Sequence, residues 1–268
     1  MPEARQEVAS VATGGAIWVL GGFDLNRRSS DSVFIFGAGT WTRGATLPHR
    51  VDHAAAAELD GTLYYAGGFM DGAAQGDLLA FATGGGWAAR SRLHHSRGAH
   101  ALLAAAGKLY ALGGNGPAGD EPVVEEYNPS TDAWTDVARL PAPRNHVSGF
   151  VYRGLACIAG GRSPNVARVD CLDPADHAWS RLPDLPSTTS GAGSGVLGDQ
   201  ILIAGGENAG ESTLVASLFR FTGQAWASEP MLIPRHGIQF ASDGGRLWAC
   251  GGATAPGYAA SPRCTSIA

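Results

Sequence analysis

Short apolar runs, each closed by two glycines, alternate along the whole chain with polar stretches that carry further glycines. The runs are Ile17-Trp18-Val19-Leu20, Leu63-Tyr64-Tyr65-Ala66, Leu109-Tyr110-Ala111-Leu112, Ala156-Cys157-Ile158-Ala159, Ile201-Leu202-Ile203-Ala204 and Leu247-Trp248-Ala249-Cys250. Four apolar residues bounded by turn formers read as a buried strand and are too few for a helix. Nowhere do apolar residues recur at i, i+3, i+4 and i+7 over three turns without an interrupting glycine or proline, so the fold class is expected to be all β. The glycine pairs, Gly21-Gly22, Gly67-Gly68, Gly113-Gly114, Gly160-Gly161, Gly205-Gly206 and Gly251-Gly252, step by 46, 46, 47, 45 and 46 residues. Six copies of one supersecondary unit, none able to bury its apolar face alone, account for that period.

Within a unit the pattern predicts four antiparallel strands. In the second, His53 to Leu59 is a small-residue apolar run, Asp60-Gly61 is a turn, Thr62 to Ala66 leads into the doublet, Asp77 to Thr83 forms a third strand, and Gly84-Gly85-Gly86 turns the chain into a fourth at Trp87. A glycine six or seven residues before every doublet (Gly15, Gly61, Gly107, Gly154, Gly198, Gly245) suits the first hairpin turn. Trp41, Trp87, Trp134, Trp179 and Trp226 follow their doublets in phase. Four-stranded sheets repeated around an axis form a propeller with short, protected edges, and six doublets mean six blades over residues 1–268, a single domain.

Doublets after an apolar strand, an aromatic on the third strand (Phe36, Phe81, Tyr127, Phe221) and tryptophan on the fourth resemble the kelch repeat, here of a bacterial type. None of the five tryptophans is followed by aspartate, which disfavours a WD-type repeat. A phosphate-binding loop would lead into a helix N-terminus, whereas these doublets lead to another strand and mark close backbone approach between sheets. For function the resemblance is permissive, since kelch propellers serve as protein-binding scaffolds and also carry enzymes, among them sialic acid mutarotases and galactose oxidase. The six tyrosines occupy mostly core positions and offer no match to the copper-radical site of the latter.

The first five residues, Met1-Pro2-Glu3-Ala4-Arg5, align with segments that follow a fourth strand elsewhere, and the tryptophan due near position 271 falls beyond the end. This phasing predicts that a strand completing the last blade is missing ahead of Met1, leaving blade six with three strands and an edge open to pairing with another copy; otherwise a monomer is expected.

Composition narrows the function classes. Apolar residues make up 44% and charged residues 16%, which supplies a core, and a net charge of -5 with a pI near 5.9 offers no general attraction for nucleic acid or a membrane surface. No stretch approaches the roughly 18 apolar residues of a membrane helix. The opening residues do not form a signal peptide.

Candidate binding chemistry lies between the blades. Arg5, Arg50, Arg97, Arg144 and Arg235 stand 16 or 17 residues ahead of their doublets, with Thr188 and Thr189 at the fifth blade, and His53, His100, His146 and His236 follow closely. Arginines converging on one channel mouth would focus positive potential on a carboxylate or other anion; alternatively each bonds backbone carbonyls at a blade junction. The histidines sit at offsets of 13 to 15, unlike a tight ligand motif, so no metal and no cofactor is expected. Glu7, Asp52, Asp24, Asp71 and Glu207 are carboxylates able to cooperate with the arginines, though none has a distinctive spacing. Loops after the doublets vary most, and there Asp24, Asn26, Arg27, Arg28, Met70, Asp71, Arg162 and Glu207 are the residues expected to face a partner. Cys157 and Cys171, like Cys250 and Cys264, lie 14 apart on second and third strands within disulfide reach, and bridges there would favour an extracytoplasmic location; four buried thiols are the alternative. The expected function is a binding scaffold recognising a protein or an anionic or carbohydrate ligand at one face. The alternative is an isomerase or mutarotase acting on an acidic sugar, with one carboxylate or histidine moving a proton beside an arginine.

Overall fold

The structure is a computed structural model that describes residues 1–82 and 85–268. It contains strands and turns and, among the described residues, no helix. Five blades are four-stranded antiparallel sheets with strands in sequential order from the inside out. Blade 1 comprises Ala9–Thr13, Ala16–Leu20, Val33–Gly37 and Thr40–Arg43. Blade 2 comprises Ala55–Leu59, Thr62–Ala66, Leu78–Phe81 and Trp87–Arg90, and blade 3 Ala101–Ala105, Lys108–Leu112, Val123–Asn128 and Ala133–Arg139. Blade 4 runs through Ser148–Tyr152, Leu155–Ala159, Val169–Leu172 and Trp179–Leu182, and blade 5 through Gly193–Leu197, Gln200–Ala204, Ser217–Phe221 and Trp226–Pro230. Blade 6 has three strands, Phe240–Ser242, Leu247–Cys250 and Cys264–Ile267. The expected end of the third strand of blade 2 at Thr83, and Gly84 of the following turn, lie outside the described residues.

The innermost strands contact one another in a closed circuit, the sixth against the first. Residues 1–6 contribute isolated bridges, Arg5 to Ser261 and Gln6 to Phe23, rather than a fourth strand for blade 6. Closure at this face comes from the doublets. The second glycine of each donates its N-H to a carbonyl of the next blade: Gly22 to Val51, Gly68 to Arg97, Gly114 to Arg144, Gly161 to Thr189, Gly206 to Arg235 and Gly252 to Arg5, at 2.8–3.0 Å. Both glycines hold positive φ, and a Cβ at Gly67 would collide with the Arg97 carbonyl, so the junction admits no side chain.

The phased tryptophans clamp the outer edge. Trp41, Trp87, Trp134 and Trp226 each pack at 5.1 Å on the third-strand aromatic of their own blade. The indole N-H of Trp87, Trp134 and Trp226 also reaches back to a carbonyl of the preceding blade, at Ala45, Ser91 and Pro183. Apolar side chains fill the space between adjacent sheets, as where Tyr64 and Ala66 of blade 2 meet Leu102 and Leu109 of blade 3.

Disulfides join Cys157 to Cys171 and Cys250 to Cys264, each pair directly opposite on paired strands with Cα atoms 4.0 and 4.1 Å apart. Intact-mass measurement after reduction and alkylation is expected to count four added labels, and none without reductant. Reduction is expected to lower unfolding stability by about 2–3 kcal/mol per bridge, the scale for a closed loop of this length. An unchanged labelling count would refute both bridges.

Candidate functional site

One residue per blade, fourteen positions before its doublet, builds a closed turn around the channel: Glu7, His53, Ala99, His146, Gly191 and Gly237. Each donates its backbone N-H to the carbonyl of the previous member, and Glu7 closes the circle on Gly237, all at 2.8–3.1 Å. All six hold φ between 51° and 66°. Non-glycine residues adopt that region at a cost of about 1–2 kcal/mol each, and Ala99 shares it, so the conformation belongs to the ring as a whole. The result is a rigid hoop that aims four side chains about the channel axis.

Three of those side chains carry chemistry and meet at the centre. His53 Nε2 lies 3.3 Å from Glu7 Oε2, while its Nδ1 faces Asp52 Oδ1 at 2.5 Å. The rings of His53 and His146 stand edge to face with centroids 5.0 Å apart. His146 Nδ1 faces the side-chain oxygen of Asn145 at 2.5 Å, and the Asn145 amide donates to Asp120 at 2.6 Å, which fixes that oxygen as an acceptor. The Nδ1-H tautomer of His146 follows, leaving Nε2 as the acceptor for Arg162 Nη2 at 2.8 Å. From the blade behind, His236 brings Nδ1 to 3.3 Å from Glu7 Oε1 and Nε2 to 3.5 Å from Glu207 Oε1.

Burial and pairing drive these groups apart in proton affinity. Burial alone would raise the Glu7 carboxyl, but His53 and His236 together hold it below the usual carboxylate range. Burial pulls His53 down and is outweighed by Glu7 and Asp52, so its pKa is raised, and His236 is raised by Glu7 in the same way. His146 falls well below the ordinary value, through burial first and the neighbouring His53 second. Two imidazoles therefore favour the charged form beside one that stays neutral.

Above the hoop the mouth opens into a cleft of about 670 Å³ lined by the loops of blades 1 to 3 and 6. Arg27, Arg28 and Arg50 are exposed at its rim, with Arg27 over the Tyr258 ring at 4.7 Å. Phe23 and Phe69 press their edges on His53, at 5.6 and 5.5 Å, so the histidine forms the floor of the cleft. Ser29 donates to the free oxygen of Asp52 at 2.6 Å.

Comparison with known proteins matches this architecture. The Kelch motif family model matches residues 96–141, which span blade 3. Kelch-like protein terF of Aspergillus terreus is 29% identical over 92% of the chain and 50% of its own length. The chain is a kelch-repeat propeller. Kelch-like protein 35 of Mus musculus is 31% identical over 85% of the chain and 32% of its own length. The chain thus spans half or less of these curated relatives. Among solved structures, one titled "Structure of YjhT" superposes with a TM-score of 0.84 at 18% identity, covering all of this chain and 96% of that one, a likeness of fold.

Kelch phasing explains where each expected residue lands. Arg97, Arg144 and Arg235 stand sixteen residues before their doublets and are fully buried, donating to the first glycine's carbonyl at Gly113, Gly160 and Gly251. Thr189 makes the same bond to Gly205 at 2.7 Å. Arg97 also pairs with Glu125 at 2.6 Å and Arg144 with Asp170 at 2.9 Å, while buried Arg5 pairs with Glu3. These four arginines do not ring the mouth, because their hydrogen bonds are spent inside the blades. Arg50 is the exception. It stands seventeen residues ahead, where Val51 takes the buried position, and the extended chain turns it outward into the cleft.

The histidines divide likewise. His53 and His146 are hoop residues and His236 packs against the hoop, but His100 falls one position later, where other blades place Val8, Ala54, Val147, Ala192 and Ile238. It is buried, with neither ring nitrogen hydrogen-bonded, which places it in the apolar packing rather than the site. Of the loop residues, Glu207 is buried and Arg162 half-buried, both in the central cluster, so neither faces outward to a partner. Asp24 closes its own turn by accepting from the N-H groups of Asn26 and Arg28. Asn26, Met70 and Asp71 remain exposed.

Proposed function

We propose that this kelch propeller binds a small acidic carbohydrate in the cleft at its hoop face. The observation that carries the reading is the pairing of three exposed arginines, Arg27, Arg28 and Arg50, with the aromatic rings of Phe23, Phe69 and Tyr258 in one concave site. Guanidinium groups suit a planar carboxylate, aromatic faces suit the apolar side of a sugar ring, and Asp71 and Asn115 at the wall offer partners for hydroxyls. The long relatives with kelch names support a binding role for the fold without specifying this ligand.

Titration of sialic acid and other acidic sugars is expected to give saturable binding. Arg28→Ala and Arg50→Ala should each weaken it about tenfold or more, the scale for a charge-assisted hydrogen bond. Both variants binding as wild type does, or no acidic sugar binding at all, would overturn the reading. A second reading, isomerisation of the bound sugar, is favoured by the floor of the cleft, where His53 is held between Glu7 and Asp52 within reach of a ligand. It predicts that wild type accelerates anomer exchange followed by NMR and that His53→Gln abolishes the acceleration while retaining binding.

A further inference from the structure

We propose that Glu7, His53 and His146 form a binding site for one divalent transition-metal ion at the centre of the hoop. One carboxylate oxygen and two imidazole nitrogens, all within 4.8 Å of one another, converge there from three different blades. Bonds of about 2.0–2.2 Å put neighbouring donors roughly 3–3.5 Å apart, and the 3.3 Å between His53 Nε2 and Glu7 Oε2 has that span already.

The supporting shell is the one metal histidines require. A ligating imidazole almost always directs its other nitrogen to a carboxylate or carbonyl, which fixes tautomer and orientation. Asp52 does this for His53 and Asn145 for His146, each from the residue immediately before its histidine. Asn145 is itself held by Asp120, and Asp52 by Ser29. Glu7 is oriented by His236 on the oxygen opposite the proposed ion.

Space and charge agree with this placement. The remaining hoop members are Ala99, Gly191 and Gly237, and a Cβ at Gly237 would collide with the Glu7 carboxylate, so glycine there lets the carboxylate lie inward. Small residues on the rest of the hoop leave coordination positions for water or a ligand oxygen, the pattern of two histidines and one carboxylate on one side of an ion. Glu7 and Asp52 both pair with His53, and an ion bound to the neutral His53 ring would take over the countercharge that the imidazolium otherwise supplies to them. Arg162 holds the lone pair of His146 and competes with the ion, but Glu211, 2.7 Å from its Nη1, offers the guanidinium another seat. A second grouping, His94, Glu125 and Asp136, is weaker because Glu125 is committed to Arg97 and the other two are exposed.

The test is calorimetric titration of the chelator-stripped full chain with Zn²⁺, and with Co²⁺ followed by its visible absorption, without sugar. One equivalent is expected to bind. His53→Ala and His146→Ala should remove binding, Asn145→Ala should weaken it about 10–100-fold, and Arg162→Ala should tighten it; circular dichroism confirms that each variant is folded. His94→Ala and the cleft variant Arg50→Ala should bind as wild type, which separates this outcome from the fate of the sugar reading. No stoichiometric binding by wild type, or binding lost in His94→Ala and kept in His53→Ala, would overturn the proposal.

Discussion

Replacing Arg97 by methionine is expected to destabilise the propeller by about 3–5 kcal/mol, the cost of stranding a buried charge. Arg97 is fully buried, and its guanidinium is shared among the carbonyls of His95, Gly113 and Val123 and the carboxylate of Glu125. Glu125 is equally buried, and without the arginine it keeps the backbone N-H groups of His94 and His95 but loses its guanidinium, the exposed His94 ring standing 3.9 Å away. Three carbonyls lose a donor at the same stroke. Denaturant unfolding followed by tryptophan fluorescence should show the loss as a lower midpoint with an unchanged slope. Arg144→Met should cost less, because Asp170 retains Arg168 at 2.7 and 2.8 Å. Adding Glu125→Leu to Arg97→Met should recover part of the loss, since the stranded charge goes with it. Equal losses in Arg97→Met and Arg144→Met, or no recovery in the double variant, would remove the stranded charge as the cause. Sugar binding measured where Arg97→Met is folded should match wild type, which distinguishes a residue inside the blades from one in the cleft.

The same residues show what could be read from the chain and what could not. Doublets, hairpin glycines and tryptophans recur because backbone contact between blades must be repeated wherever two sheets meet, so period and blade number stand in the sequence directly. The arginines share that origin. Their sixteen-residue offset is a packing constraint, met by threonine in blade 5, and a recurring charge therefore marked the scaffold. The proposed binding residues lie where the repeat is broken. Arg50 is out of phase by one residue and faces the cleft, and the hoop position changes from glutamate to histidine, alanine and glycine around the axis. The histidine offsets of 13, 14 and 15 look like drift along the chain, yet the left-handed backbone at offset 14 turns successive side chains to different surroundings, so they separate three layers: packing at His100, hoop at His53 and His146, and outer support at His236. Counting to Glu7 at offset 14 would have joined it to His53 and His146. Its contact with His236 depends on closure of blade 6 on blade 1, which no local spacing encodes.

His100 should give the propeller a distinct sensitivity to acid. Its ring packs behind Gly67 at the repeat position filled elsewhere by valine, alanine or isoleucine. Burial, followed by the nearby charge of Arg97, depresses its pKa from 6.5 to about 3. In the unfolded chain the imidazole takes up a proton near its ordinary value, whereas in the folded chain it stays neutral to far lower pH. Above pH 6.5 both states are neutral and His100 contributes no pH dependence. Between pH 6.5 and about 3 the unfolded state binds the extra proton, so stability falls as pH falls, and it levels off once the folded ring also protonates. The full span corresponds to a loss on the order of 5 kcal/mol. His100→Leu removes this limb while supplying the apolar side chain that the layer uses in the other blades. Stability should therefore be compared as the difference between wild type and His100→Leu at matched pH, which cancels the acid sensitivity of the carboxylates common to both. That difference is expected to stay flat from pH 8 to 6.5 and then to move steadily in favour of the variant as pH drops. Parallel profiles would mean that the folded protein protonates His100 as readily as the unfolded chain does, and that the layer behind Gly67 is wet rather than apolar.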